Sequence, residues 1–219
     1  MAKMPVLTAR RQPEPPADWF ASQAAAMLLA SETGLLAQAL EARPGLPWLV
    51  FSAAARPAQI SAPLGVWLSP RRQGWGGELH CPQDVLPLQS ESIATIVVQH
   101  VGSPASALPW LSECARVLLP GGKLWLFALN PLSPYRRHWL GADVQAHEPF
   151  SWRRSLRRAQ LQTDALTLGL GARWHPREDA RLQHGAGIRA AYVLQAEKRR
   201  IPLTRIPARG MRPAMDVVA

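Results

Sequence analysis

After Asp18 the apolar residues Trp19, Phe20, Met27, Leu28, Leu35, Leu36 and Leu40 fall at three- and four-residue intervals. That spacing gathers them on one side of a 3.6-residue period and predicts a helix that Pro44 and Gly45 stop. Asp18 stands where a capping side chain belongs, and Gly34 weakens the middle by about 1 kcal/mol relative to alanine. The pattern then changes. Trp48-Leu49-Val50-Phe51 is a continuous apolar run, the kind found in strands buried on both faces. Leu64–Leu68 is a second candidate strand, ending before the turn-rich SPRRQGWGG, and Glu78–Cys81 is a brief third. Ile93–Val98, rich in β-branched residues, is the clearest strand of all. A helix is expected over 106–118, with Pro109 in its first turn and Leu108, Leu111, Ala115 and Leu118 on its apolar face. Pro120-Gly121-Gly122 predicts a tight turn into a buried strand at Lys123–Leu129. Phe150 to about Leu161 reads as a basic amphipathic helix with Trp152, Leu156, Ala159 and Leu161 inward. Leu166–Trp174 and Gly187–Ala196 are expected as an antiparallel pair at the sheet edge.

Strands alternating with helices argue for an α/β fold: a doubly wound, mostly parallel sheet covered on both faces. A chain of 219 residues favours one domain. It divides into a polar, proline-rich segment over 1–16, expected to be disordered, a folded unit over 17–197 and a basic tail over 198–219. Hydrophobic residues at 47% and charged residues at 18% mark the bulk as globular. Cys81 and Cys114 make no CxxC pair or disulfide framework, and metal-ligand spacing is missing. No apolar run approaches the ~18–20 residues of a membrane span. The first ten residues do not read as a signal peptide. A cytoplasmic, soluble protein is therefore expected.

Two motifs carry a resemblance. CPQDVLPLQSESIATIVVQHV places Asp84 and Leu86-Pro87 ahead of a strand. LSECARVLLPGGKLWLFALNP places Glu113, Arg116-Val117-Leu118 and Pro120-Gly121-Gly122 ahead of the next. The stretch from Cys81 to Leu129 resembles the class I S-adenosylmethionine-dependent methyltransferases of the broad small-molecule type, and the likeness extends more weakly over residues 19 to about 200. The resemblance implies a Rossmann-like doubly wound sheet, with S-adenosylmethionine lying across the carboxyl ends of its strands.

It also assigns positions. Where the family carries a glycine-rich turn after the first strand, this chain has Ser52-Ala53-Ala54-Ala55. These residues are either a degenerate cofactor loop or simply a loop after a buried strand. At the end of the second strand, where the family has a ribose-holding acid, stand Ser69-Pro70-Arg71-Arg72. Left-handed geometry on a non-glycine residue costs about 1–2 kcal/mol, and a lost charged hydrogen bond about 1.5–3 kcal/mol. Together they would weaken the cofactor about 10²–10³-fold. Asp84 matches the adenine-contacting position or is a turn residue. Ala94 replaces a common aspartate inside the fourth strand. Gln99 and His100 follow that strand. Gln99 is a cofactor-site candidate, and His100 is either a general base or a hydrogen-bonded strand-end histidine. Asn130, ending the fifth strand, has the same two readings. Glu113 and Arg116 read as a structural ion pair, and the nine tryptophans chiefly as packing residues.

The formal charge of +10 is the remaining signal. Arginines gather at 136–137 and 153–158, and six basic residues without an acid lie between Lys198 and Arg212. Such clusters either attract nucleic acid or another anionic surface, or keep a face solvated. Two functions follow. One is a methyltransferase whose methyl acceptor the sequence does not name. The other is a non-catalytic protein that keeps the fold to bind nucleic acid or a protein partner.

Overall fold

The computed structural model describes residues 19–60, 64–72 and 74–199. Its centre is one eight-stranded sheet in the order β3-β2-β1-β4-β5-β8-β6-β7. The strands are β1 (Trp48–Ser52), β2 (Gly65–Arg71), β3 (Gly74–Gly77), β4 (Ile93–Gln99), β5 (Leu118–Leu129), β6 (Gln162–Leu170), β7 (Gln183–His184) and β8 (Ala191–Glu197). β2, β1, β4 and β5 run parallel, and β8 enters antiparallel between β5 and β6. The expected α/β architecture with its antiparallel pair is present.

Alternation along the parallel strands divides the core into two layers. Leu49, Phe51, Ile96, Val98, Leu124 and Leu126 face one side, where Trp110 and Leu111 of α2 (Leu108–Val117) and Trp152 and Leu156 of α3 (Pro149–Arg158) cover them. Trp48, Val50, Val97, Trp125 and Phe127 face the other, under Leu28, Leu36 and Leu40 of α1 (Gln23–Glu41). Strands packed on both faces need apolar residues at every position, which explains their unbroken hydrophobic runs.

Several details differ from the sequence expectation. The cap of α1 is Ser22, whose hydroxyl accepts from the Ala25 amide at 3.1 Å; Asp18 lies outside the described residues. Glu78–Cys81 is not the third strand. The glycine-rich GWGG pairs antiparallel with Leu68–Arg71 instead, and only Cys81 bridges back to Trp75. Gly77, at φ 143°, makes this reversal feasible, because a Cβ there would stand 2.3 Å from the Trp67 carbonyl. The buried face of α2 runs through Trp110, Leu111, Cys114 and Val117, while Leu108 points to solvent. Pro120–Gly122 forms an irregularity inside β5. α3 ends at Arg158, short of the expected Leu161: Gln160 sits at φ 63°, its amide reaches Arg157 O, and the Leu161 amide reaches Leu156 O. That is a Schellman closure. No helix joins β1 to β2 among the described residues.

The expected basic tail falls almost wholly outside the described residues. Lys198, with which it begins, donates from its amide to Gly122 O at 3.0 Å and from Nζ to Leu118 O at 2.8 Å.

Candidate functional site

The carboxyl ends of β1 and β4 lie side by side, with Ser52 opposite Gln99. Ser52 is fully buried; its hydroxyl donates to Gln99 Oε1 at 2.9 Å and accepts from the Ala54 amide at 3.0 Å. Gln99 turns its amide nitrogen to Glu32 Oε2 at 2.7 Å. The same carboxylate receives His100 Nε2 at 2.9 and 3.0 Å from its two oxygens. Glu32 comes from the middle of α1 and has no exposed surface. Four buried polar side chains thus form one hydrogen-bonded chain across the end of the sheet. A carboxylate needs such donors to remain buried.

His100 is held in an unusual way. Its backbone takes φ 53°, a left-handed conformation that costs a non-glycine residue about 1–2 kcal/mol. Its amide bonds Phe127 O at 2.9 Å, Phe20 packs beside its ring, and Nδ1 is buried with no hydrogen-bond partner. With Nε2 fixed on Glu32, Nδ1 is the nitrogen left for exchange with anything else.

The loop after β1 is fastened to its own sheet. Ala53 donates to Gln99 O at 3.2 Å, Ala54 O accepts from Trp67 Nε1 at 3.2 Å, and Arg56 Nε reaches Ile60 O at 2.8 Å. The Arg56 guanidinium lies over the Trp48 ring, 5.2 Å from its centroid, and pairs with Glu78 at 3.1 Å. Ser69 does not end its strand: β2 runs on to Arg71, and Ser69 faces Gly76 in the hairpin. Asp84 is exposed in the turn before β4. Of the sequence candidates, Ser52, Ala54, Gln99 and His100 therefore meet in one network, with Ala53 bonded to its edge. Ser69 stands level with them one strand away, and Asp84 lies outside the network.

The remaining singled-out residues hold nearby backbone. Asn130 is buried; its Nδ2 donates to Gly187 O and Arg189 O, both at 2.9 Å, and its Oδ1 accepts from the Leu132 amide at 3.1 Å. Glu113 accepts from the Leu86 amide at 2.9 Å and pairs with Arg116 at 2.8 Å; Arg116 in turn reaches the carbonyls of Leu86 and Leu88. The hydrogen bond from Arg116 holds the Glu113 carboxyl below the usual glutamate range. Together they pin the segment between β3 and β4. Trp174 departs from the packing role read for the tryptophans and is 53% exposed. Burial pushes the Cys114 thiol up, away from thiolate chemistry. No cluster of three or more metal-ligating side chains exists among the described residues, and no helix there is long and apolar enough to cross a membrane.

No family model and no curated protein matches the chain. Solved structures do. A SAM-dependent methyltransferase from Thermotoga maritima superposes with a TM-score of 0.54 at 17% identity, over 83% of this chain and 97% of that one. The chain has the class I methyltransferase fold. Other methyltransferases superpose less closely. A geranyl diphosphate C-methyltransferase from Streptomyces coelicolor, solved with S-adenosylhomocysteine, gives 0.49 at 14% identity, over 76% and 80% of the two chains. A Methanosarcina mazei SAM-dependent methyltransferase gives 0.44 at 14%, over 72% and 94%.

Within the methyltransferase fold, the residues present match the cofactor poorly. The loop after β1 carries the methyl groups of Ala53 and Ala54 where the resemblance expects glycine. The second strand ends on arginines. Both oxygens of Glu32, the buried carboxylate near the first loop, are already engaged. Sequence reasoning missed Glu32. In the helical pattern it is one polar residue beside Ser31, and only the fold brings it to a strand end 67 residues away.

Proposed function

We propose that this chain uses the methyltransferase fold chiefly as a binding protein, with the cofactor end converted into a closed polar core. The Ser52–Gln99–Glu32–His100 network carries this reading, because the Ser52 hydroxyl, the Gln99 amide, both Glu32 oxygens and His100 Nε2 are spent on one another. A ligand entering there must break charge-assisted hydrogen bonds, each worth about 1.5–3 kcal/mol. It must also approach a loop that lacks glycine.

Calorimetric titration of the full chain with S-adenosylmethionine and S-adenosylhomocysteine tests it. Binding near millimolar or weaker is expected, following the 10²–10³-fold loss argued from the loop and the missing acid. Replacing Ser52→Gly together with Ala54→Gly should tighten S-adenosylhomocysteine at least tenfold, by freeing the backbone for close approach. Low-micromolar binding by the unaltered chain overturns the reading.

One observation favours methyl transfer instead. Glu32 orients the His100 ring and leaves Nδ1 buried and unpartnered, an arrangement suited to taking a proton from a hydroxyl or amine acceptor. S-adenosylmethionine would then supply the methyl group. Cofactor binding at low micromolar, with turnover lost in His100→Gln, would establish this second reading in place of the first.

A further inference from the structure

The carboxyl end of β5 leads into residues 130–140, and the ends of β6 and β8 are joined through residues 171–190. These two segments are knitted together. Asn130 holds the Gly187 and Arg189 carbonyls, Ser133 Oγ donates to Ile188 O at 3.0 Å, and Arg137 Nη2 donates to Trp174 O at 3.0 Å. His138 Nε2 also lies 3.0 Å from Trp174 O.

The surface they present is not an ordinary solvated rim. Leu132 and Leu140 are 71% and 70% exposed, and Trp174, Leu182 and Ile188 are exposed as well. Phe150, exposed in turn, faces Leu132 across a cavity of about 510 Å³ that Gly187 also lines. Single exposed leucines are common, but five large apolar side chains on two linked segments, with Phe150 of α3 beside them, call for a partner.

Interleaved with them are Arg136, Arg137, Arg173, Arg177 and Arg181, all exposed. The acids of these two segments are Glu178 and Asp179. Asp179 is buried and already engaged with Arg189 at 2.7 Å and Arg181 at 3.0 Å. Asp143 and Glu148 lie just beyond. The face is therefore apolar and cationic at once.

We propose that this end of the sheet docks on an anionic lipid surface, apolar tips entering the headgroup boundary and arginines meeting lipid phosphates. Interfacial binding has these two requirements, buried apolar area and attraction to anionic headgroups. Tryptophan at such a boundary presents an apolar body with a polar N–H. Single-stranded nucleic acid fits the arginines but not the rest. It asks for successive aromatic platforms on which bases stack; only Trp174 and Phe150 are aromatic here, while Leu132, Leu140, Leu182 and Ile188 are aliphatic. None of these side chains belongs to the Glu32 network, so this surface is independent of cofactor binding.

The test uses the full chain with vesicles of phosphatidylcholine and phosphatidylglycerol at equal parts, vesicles of phosphatidylcholine alone, and a fluorescent 30-nucleotide single-stranded RNA. Sedimentation with the anionic vesicles is expected, reduced in high salt and lost on the neutral ones. Leu132→Ser with Leu140→Ser should weaken vesicle binding at least tenfold, and Arg136→Gln about fivefold. Circular dichroism should be unchanged, because these three side chains are exposed. Binding to RNA but not vesicles overturns the proposal. So does vesicle binding that the leucine variant leaves intact, since the basic residues after Lys198 would then carry the attraction.

Discussion

Glu32 is the residue on which the end of the sheet depends. Its carboxylate is wholly buried and serves both Gln99 and His100. Removing one partner of a buried charged cluster costs far more than the cluster's net contribution, because the others are left unpaired. Glu32→Ala should therefore destabilise the protein by about 3–5 kcal/mol. Glu41→Ala, on the exposed last turn of the same helix, should change stability by less than about 0.5 kcal/mol. Urea unfolding of both variants measures the difference, and similar midpoints would show that the network is not built as described. Three of the four side chains in this network were legible in the sequence. Ser52, Gln99 and His100 follow apolar runs, and the end of a strand is where a polar side chain first becomes useful. Glu32 was not legible, because helix periodicity says which face a residue occupies but not which buried acceptors wait there.

At the scale of elements, α1 offers the clearest experiment. Gly34 sits in the middle of a 19-residue helix, on its exposed side, and a Cβ added there meets nothing within 4 Å. Glycine's extra backbone freedom is then a cost with no packing return. Gly34→Ala should stabilise the protein by about 1 kcal/mol, raising the melting temperature by about 2–4 °C. No increase would overturn the assignment of Gly34 to an open helix face. The same physics explains which elements could be read from the chain. β1, β4 and β5 are buried on both faces, so their apolar runs are unbroken and their positions came through within a few residues. β3 did not, since a strand written GWGG has almost no side chains to form a pattern, and its pairing rests on backbone freedom. The helix α2 was placed correctly but rotated. Leu108 was assigned inward, yet Trp110 and Cys114 fill the space under the sheet, and volume rather than leucine count fixed the face.

Across the whole molecule, one residue ties the far end of the sheet to the helical layer. Asp179 lies in the excursion between β6 and β8. Its amide donates to Ser31 Oγ of α1 at 2.9 Å, and its carbonyl accepts from Gly171 at 3.2 Å. Its carboxylate pairs with Arg189 at 2.7 Å, a guanidinium that also reaches Gly171 O at 3.0 Å. Hydrogen bonds from Arg181 first, and from Arg189, hold the Asp179 carboxyl well below the ordinary aspartate range despite its burial. The sign of the consequence follows from linkage. A carboxyl depressed in the folded state stabilises that state above its unfolded pKa of about 4. The contribution is lost as pH falls toward the folded value. Asp179→Asn leaves Arg189 buried with less compensation, so it should cost about 3 kcal/mol at pH 7. Between pH 4 and pH 2 the unaltered protein should lose stability more steeply than the variant, and the two curves should converge. Urea midpoints measured at intervals through that range supply the test. Parallel curves would mean that the acid limb comes from other carboxylates, with Glu113, also lowered by its arginine, the next to replace. Convergence would place the joint between α1 and the β6–β8 excursion among the contacts that hold the two halves of the sheet as one body.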